Sequence, residues 1–448
     1  MTVDSPKRSP RLVGTSRGGV PASQRDLPTT PDRAISYQQA LAWLYGLQRF
    51  GIKLGLENIR RLLHECCRGV CVKRSGRATT FKVFHVAGTN GKGSVCAMID
   101  SICRAQGYRT GLFISPHLVT FRERIRVNGE MISEHAVVDG LRMIRDFIAD
   151  WDPHPTFFEV TTALALKHFS DAKIEIVILE TGLGGRLDAT NAVQSDVSVI
   201  TPIALDHEQW LGHTLAEIAS EKAGIIKSGV PVVSAPQQNE AAEVIRARAA
   251  ECCSSMQFVT ETYKRSPVAL RGEYQKQNAA LAIAAIHVGK IKLGEKSIVR
   301  GLAAIEWPAR FQKWDERTII DGAHNPGSAR ILAQTWQEFF ADQKATLVLA
   351  VLSDKDLRGI CEVLAPIAES ILLPKIRSER AVAPGELAKI FSIISPTLPH
   401  SITSTIDDAL TLARAKPNPI LITGSLHFAG EALAYLRGGS AAFEECAQ

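Results

Sequence analysis

No stretch of this 448-residue sequence approaches the ~20 consecutive apolar residues that a membrane-crossing helix requires. The opening decapeptide MTVDSPKRSP lacks the apolar centre of a secretion signal. Nine cysteines are present, an odd number, and none forms a CxxC pair, which argues against a disulfide framework or a redox motif. His64, Cys66, Cys67 and Cys71 lie close together but lack structural-zinc spacing, and are read as a helix end and the turn after it. Charge of one sign is scarce as well. Lys and Arg outnumber Asp and Glu by 52 to 46, too small and scattered a surplus for nucleic-acid binding. These absences lead to the expectation of a reduced, cytoplasmic chain with no nucleic-acid or membrane partner.

What is present is a long α/β pattern. The length allows two domains or three, with no need of a metal or disulfide to fold. Residues 1–33 are rich in Ser, Pro, Gly and Arg and are expected to be a disordered tail; Asp4, Asp26 and Asp32 count against a transit peptide. From Tyr37, apolar residues recur at helical spacing. Beyond Phe81 short apolar runs (FKVFHVAG, GLFISP, IEIVILE, DVSVITPI, VPVVSAP) alternate with helix-length segments, the pattern of βαβ units on a buried parallel sheet. A second series, RTIID, TLVLAVL, SILLP and PILITG, follows a Pro-containing stretch near 306. The expected architecture is α/β: a P-loop-type, mostly parallel sheet domain over 34–306 and a smaller Rossmann-like domain over 307–448, with a crevice between.

The sharpest local signal is VFHVAGTNGKGSV at 83–95. A strand ends at Ala87, and Gly88, Thr89, Asn90, Gly91, Lys92, Gly93 and Ser94 lead into a helix. Closely spaced glycines let backbone N–H groups turn inward around a phosphate, at a helix end that favours negative charge. Lys92 would add a point charge for a triphosphate. The loop is shorter than GxxxxGK[ST], so the bland alternative is an ordinary glycine-rich turn. Glu180 ends IEIVILE, where it could hold Mg²⁺ or simply cap the next turn. Ser115 and His207 also follow strands; His207 alone would more often be a structural hydrogen-bonder. Together these donors have the composition of a phosphoryl-transfer centre. Lys222 in SEKAGIIK, taken singly, is a solvated helix-face lysine, and Arg310 and Asp321 are surface ion-pair types. Lys355, Lys375 and Arg377 could attract a dicarboxylate but are read as solvated surface charge.

GTNGKGS followed by SPHLVTFRERIRVNG at 115–129 resembles the folylpolyglutamate synthase/dihydrofolate synthase family, a branch of the Mur ligases. The resemblance is renewed in order by ILETGLGGRLDATN (178–191), ITPIALDHEQWLG (200–212), EKAGIIK (221–227), QNAALA (277–282), ARFQ (309–312), DGAHNP (321–326) and TGSLH (423–427). It implies Mg²⁺ ligation by Ser115, Glu180 and His207, two metal ions, and a carbamylated lysine at Lys222. It assigns Asn278, Arg310 and Asp321 to ATP along with the 89–94 loop. A pterin pocket is implied at Thr156, Phe157, Phe158 and Glu159 with Leu187, Asp188 and Ala189, at least one Phe belonging to the core. His324 and Ser425 are implied to approach glutamate. The implied reaction is ATP-dependent addition of L-glutamate to dihydropteroate and to tetrahydrofolate through an acyl phosphate, by a monomer, with Lys92, Lys222 and His207 catalytic. Folate extension alone, a UDP-muropeptide ligase, a nucleotide switch and a non-catalytic binding module are the alternatives.

Overall fold

The computed structural model describes residues 35–51, 55–66, 81–439 and 443–444, so the expected tail over 1–33 and the pair Cys67 and Cys71 lie outside the described residues. Two helices come first: α1 (Tyr37–Gly46), started by a Ser36–Gln39 capping box, and α2 (Glu57–Cys66). The His64 side chain is 68% exposed whereas Cys66 is buried, so these two do not share a site.

The chain then alternates: β1 (Lys82–Ala87), α3 (Lys92–Gln106), β2 (Thr110–Phe113), β3 (Ile125–Val127), β4 (Glu130–Met131), α4 (Glu134–Ile148), α5 (Phe157–Asp171) and β5 (Ile176–Glu180). It continues through β6 (Val197–Ile200), α6 (Glu208–Leu211), α7 (Leu215–Ala223), β7 (Val232–Ser234), α8 (Asn239–Glu251), β8 (Met256–Phe258), α9 (Glu273–Val288) and α10 (Glu295–Ala303). The eight strands form one sheet in the order β4-β3-β2-β5-β1-β6-β7-β8. All neighbours run parallel except in the β2–β3–β4 hairpins. The turn between β3 and β4 is Asn128-Gly129, both at positive φ, a hairpin signal that the α/β alternation had masked.

β1 lies where later strands are laid down on both of its sides, so its carboxyl end is the sheet's switch point, the place where open α/β sheets bind ligands. Phe84 and Val86 of β1 are sealed from water by Met98 and Ile102 of α3 and Leu281 and Ile286 of α9. Burial on both faces explains why these strands read as continuous apolar runs.

A second sheet follows: β9 (Gln312–Lys313), β10 (Thr318–Ile320), α11 (Pro326–Phe340), β11 (Ala345–Leu349), α12 (Leu357–Leu364), β12 (Ala368–Pro374), α13 (Pro384–Ile394), β13 (His400–Thr403), α14 (Ile406–Arg414), β14 (Ile420–Thr423) and α15 (Leu426–Leu436). Its order is β13-β12-β11-β14-β10-β9, parallel but for β9. The α/β expectation with two sheets holds. Near the C-terminus, Glu444 returns to the first half, accepting from Phe121 N–H at 2.5 Å, Thr120 Oγ1 at 3.1 Å and the Tyr37 hydroxyl at 3.3 Å.

Candidate active site

The loop after β1 folds differently from a simple ring of inward N–H groups. Gly88 sits at φ 144°, and a Cβ there would lie 1.9 Å from Thr201 Oγ1, so only glycine fits. Thr89 and Asn90 donate their N–H groups to Pro202 O at 3.0 and 3.2 Å, and Thr89 Oγ1 donates to Ala204 O. These two backbone donors tie the loop to the end of β6, while Thr89 and Asn90 themselves line the cleft with the rest of the loop. The first-turn N–H groups of α3 at Lys92, Gly93 and Ser94 have no acceptor within the helix, which makes this end suited to an anion. Lys92 Nζ lies across the loop, donating to Gly88 O at 3.1 Å and Thr89 O at 3.2 Å. Asn278 on α9 packs its Oδ1 against Gly91, and Trp307 packs its indole N–H against Gly93.

Lys92, Ser115, Glu180, His207, Lys222, Asn278, Arg310 and Asp321 line one cleft between the two sheets, about 530 Å³ in volume. Ser115 N–H donates to Glu180 Oε2 at 3.3 Å, which joins the ends of β2 and β5. Glu180 is buried, and burial raises its pKa against the pull of Lys92, the Ser115 N–H and Arg310. Ser115 Oγ is buried with no hydrogen-bond partner. A carboxylate, an imidazole and an unpartnered hydroxyl oxygen beside an anion-binding helix end suit Mg²⁺, which keeps few protein ligands and takes the rest from phosphate and water. Among the described residues no three His, Cys, Asp or Glu side chains gather closely enough to hold a metal without such help.

Lys222 is the largest departure from the solvated reading. It is only 5% exposed, and burial together with the neighbouring Lys92 ammonium brings its pKa down to about 7. His207 caps α6 from a left-handed backbone (φ 53°), and burial lowers it to about 4 in spite of the adjacent Asp206.

Asp206, which lines the cleft, and Lys355, which lines the neighbouring cavity, meet where the two open into each other. Asp206 accepts from Lys355 Nζ at 2.8 Å and from Asn325 Nδ2 at 3.0 Å, with His324 Nε2 3.7 Å away. Burial alone would raise Asp206; the nearby His324 imidazole and the Lys355 and His207 charges hold it well below the usual carboxylate range. Lys355 is not solvated: its side chain is 7% exposed and it also meets Asp354 at 3.4 Å and His207 Nε2 at 3.3 Å. Lys375 and Arg377 are exposed, as expected. Asn325 also donates to Asn90 Oδ1 at 3.2 Å, so α11 of the second sheet touches the phosphate loop directly. The DH pair in ALDHEQ and the DK pair in LSDKDL were the available sequence signals, but an ion pair spanning 149 residues has no local spacing.

A second cavity of similar volume opens beside the first, lined by Thr156, Phe157, Phe158, Glu159, Leu187, Asp188, Ala189, His324 and Ser425. Several of these residues also make hydrogen bonds within the fold. Glu159 Oε2 accepts from Thr156 N–H at 2.8 Å and Thr156 Oγ1 at 3.0 Å, closing a capping box on α5; T-x-x-E before an apolar run is that signature. Asp188 spends both oxygens on the turn that follows β5 and on Thr190. Ser425 Oγ caps α15 through Phe428 N–H at 3.0 Å. Asp321 accepts from Phe311 N–H and Ala323 N–H at 2.7 and 2.8 Å. Phe157 is core, stacked on Tyr45 with ring centres 5.6 Å apart, and Phe158 is the half-buried ring facing the cavity. The two cavities share Ser115, Pro116, Gly182, Leu183, Gly184, His207, His324 and Leu426.

The chain matches the Mur ligase middle domain over residues 86–252 and the Mur ligase glutamate ligase domain over 309–426. It is 35% identical over 430 residues to the dihydrofolate synthase/folylpolyglutamate synthase of Bacillus subtilis, covering 88% of this chain and 97% of that one. Among solved structures it is similar to the Yersinia pestis bifunctional folylpolyglutamate synthase/dihydrofolate synthase complexed with AMPPNP and Mn ion, with TM-score 0.80, 32% identity, and 91% and 100% of the two chains covered. It is similar too to Escherichia coli FolC in complex with DHPP and ADP, with TM-score 0.79, 30% identity, and 89% and 98% covered. Fold, cleft and full-length likeness agree: the chain belongs to the folylpolyglutamate synthase/dihydrofolate synthase family of the Mur ligases.

Proposed function

We propose that this protein is an ATP-dependent ligase that joins L-glutamate to dihydropteroate, giving dihydrofolate, and to reduced folates, extending them. The observation that carries this reading is the junction of the two cavities at Ser115, Gly182, Leu183 and His207. An acceptor lying in the apolar cavity would present its carboxylate to a phosphoryl group held in the other.

The first-turn N–H groups of α3 and Lys92 bind the phosphates, with Arg310 contributing its guanidinium from the second sheet. Asn278 and Asp321 flank the nucleoside. Ser115, Glu180 and His207 would hold Mg²⁺, which supplies charge neutralisation when bound. Lys222, with its lowered pKa, carries the neutral amine that CO₂ needs to form a carbamate, turning a cation into an anion beside the metal ligands. The acceptor carboxylate takes the γ-phosphoryl group and ADP is released. The glutamate amine then attacks the acyl carbon, phosphate leaves with the bonding electrons, and the amine loses its proton. Closure of the second sheet over the cleft keeps water from the acyl phosphate.

Phe158 offers a flat face for the pterin, and the shared rim holding His324, Asp206 and Lys355 faces the incoming glutamate. The division into domains at 306/307, a monomeric cytosolic enzyme and the absence of nucleic-acid or membrane partners belong to the same reading. The test is phosphate release and product mass with ATP, glutamate and either dihydropteroate or tetrahydrofolate. Product from both supports the bifunctional reading; product only from the reduced folate reduces it to folate extension. ATP turnover at full rate without glutamate or acceptor sinks ligation.

A further inference from the structure

Asp188 anchors the turn after β5. Its Oδ2 accepts from Gly182 N–H and Leu183 N–H, each at 2.9 Å, and its Oδ1 accepts from Thr190 N–H at 3.0 Å and Thr190 Oγ1 at 2.5 Å. A threonine hydroxyl has one proton, and here Asp188 takes it. His85 Nε2, 2.8 Å from Thr190 Oγ1, must therefore be the donor of that bond. The other ring nitrogen, Nδ1, is then a bare acceptor, and it is buried without a hydrogen-bond partner. Thr190 and His85 are 0% and 1% exposed. Burial holds the imidazole neutral, well below its usual pKa, in keeping with this tautomer.

The turn has a second neighbour. Gly182 lies beneath the Phe158 ring, so closely that a Cβ on it would sit 2.6 Å from Phe158 Cζ. A continuous path thus runs from His85 on β1, three residues before the phosphate loop, through Thr190 and Asp188 to Gly182 and the aromatic face of the second cavity. We propose that His85 and Thr190 are positioning residues for acceptor binding: they fix Asp188 in the rotamer that sets the Gly182 turn, and so set the level of the Phe158 face on which the acceptor ring lies. This rests on the second cavity being the acceptor pocket; neither residue touches substrate.

The test is steady-state kinetics of the full chain with ATP, glutamate and each acceptor, using Thr190→Val, which keeps shape but removes the hydroxyl, and Thr190→Ser, which restores it. The expected result is about a tenfold rise in KM for the acceptor in Thr190→Val, with KM for ATP within about twofold, and near-normal constants in Thr190→Ser. A generally loosened core would raise both KM values or lower only the melting temperature, and either result overturns the proposal. Should Thr190→Val not fold, His85→Leu set against His85→Gln, whose amide N–H replaces Nε2, puts the same question from the other end. If the wild-type chain turns over neither acceptor, the functional reading fails. If the wild type is active and Thr190→Val matches it, only the positioning role fails.

Discussion

At Lys222, burial and a neighbouring cation work in the same direction. The side chain is 5% exposed and its pKa falls to about 7, so a large share of the amine is neutral at physiological pH. Lys222→Ala is expected to lower ligation at least a hundredfold while ADP affinity, measured by calorimetry, changes by less than about fivefold. His117 illustrates a buried base held neutral by geometry. Arg124 Nε can only donate, so His117 Nδ1 accepts from it at 2.8 Å, and Nε2–H donates to Glu444 O at 3.0 Å. Burial and the Arg124 charge lower its pKa well below the ordinary value near 6.5. Below pH ~6.5 the unfolded chain takes up a proton that the folded chain refuses, so stability falls as pH drops. Urea midpoints measured between pH 7 and 5 are expected to fall less steeply in His117→Asn, whose amide oxygen can accept from Arg124 without binding a proton.

Among the elements, α3 and α5 begin the two halves of the site, and each start is set by a different device. α3 starts at Gly91 in a left-handed conformation (φ 89°), pressed against Asn278, where a Cβ would lie 2.9 Å from Oδ1. Gly91→Ala combines backbone strain of about 1–2 kcal/mol with that clash. Its KM for ATP is expected to rise about tenfold while far-UV circular dichroism stays unchanged. α5 starts at Thr156, whose Oγ1 accepts from Glu159 N–H at 3.3 Å while the Glu159 carboxylate accepts from Thr156 N–H at 2.8 Å. Thr156→Ala removes the two bonds made by the hydroxyl, to Glu159 N–H and to Glu159 Oε2, and keeps the Thr156 N–H bond; it should cost about 0.5–2 kcal/mol. Differential scanning calorimetry is expected to show a drop in melting temperature of a few degrees.

For the molecule as a whole, the decisive contact is the one that brings the second sheet to the phosphate loop. Lys355 and Asn325 from the second half converge on Asp206 of the first, with Lys355 and Asp206 side chains each only 7% exposed. An ion pair so poorly solvated is little screened by salt, and removing one partner leaves the other charge buried. Asp206→Ala is expected to loosen the two halves: faster tryptic cleavage within 304–311 and a larger radius of gyration by X-ray scattering. Unchanged cleavage and radius would mean that other contacts across the cleft suffice.

Order along the chain already determined much of this protein. Continuous apolar strands can be satisfied only by a sheet buried on both faces, and a strand–glycine loop–helix unit makes an anion site from backbone alone; both follow from local chemistry and appear in the sequence. Glu180 and Ser115 were legible because strand ends in such a sheet converge. Tertiary structure alone decided which polar groups along the cavities also hold the scaffold together. Thr89, Asn90, Glu159 and Asp188 look free as residues, yet their hydrogen bonds go to Pro202, Thr156 and the Gly182 turn. Lys222 and Lys355 look solvated, yet packing from distant segments removes their water. Burial is a property of everything that surrounds a side chain, so no spacing along one segment can encode it.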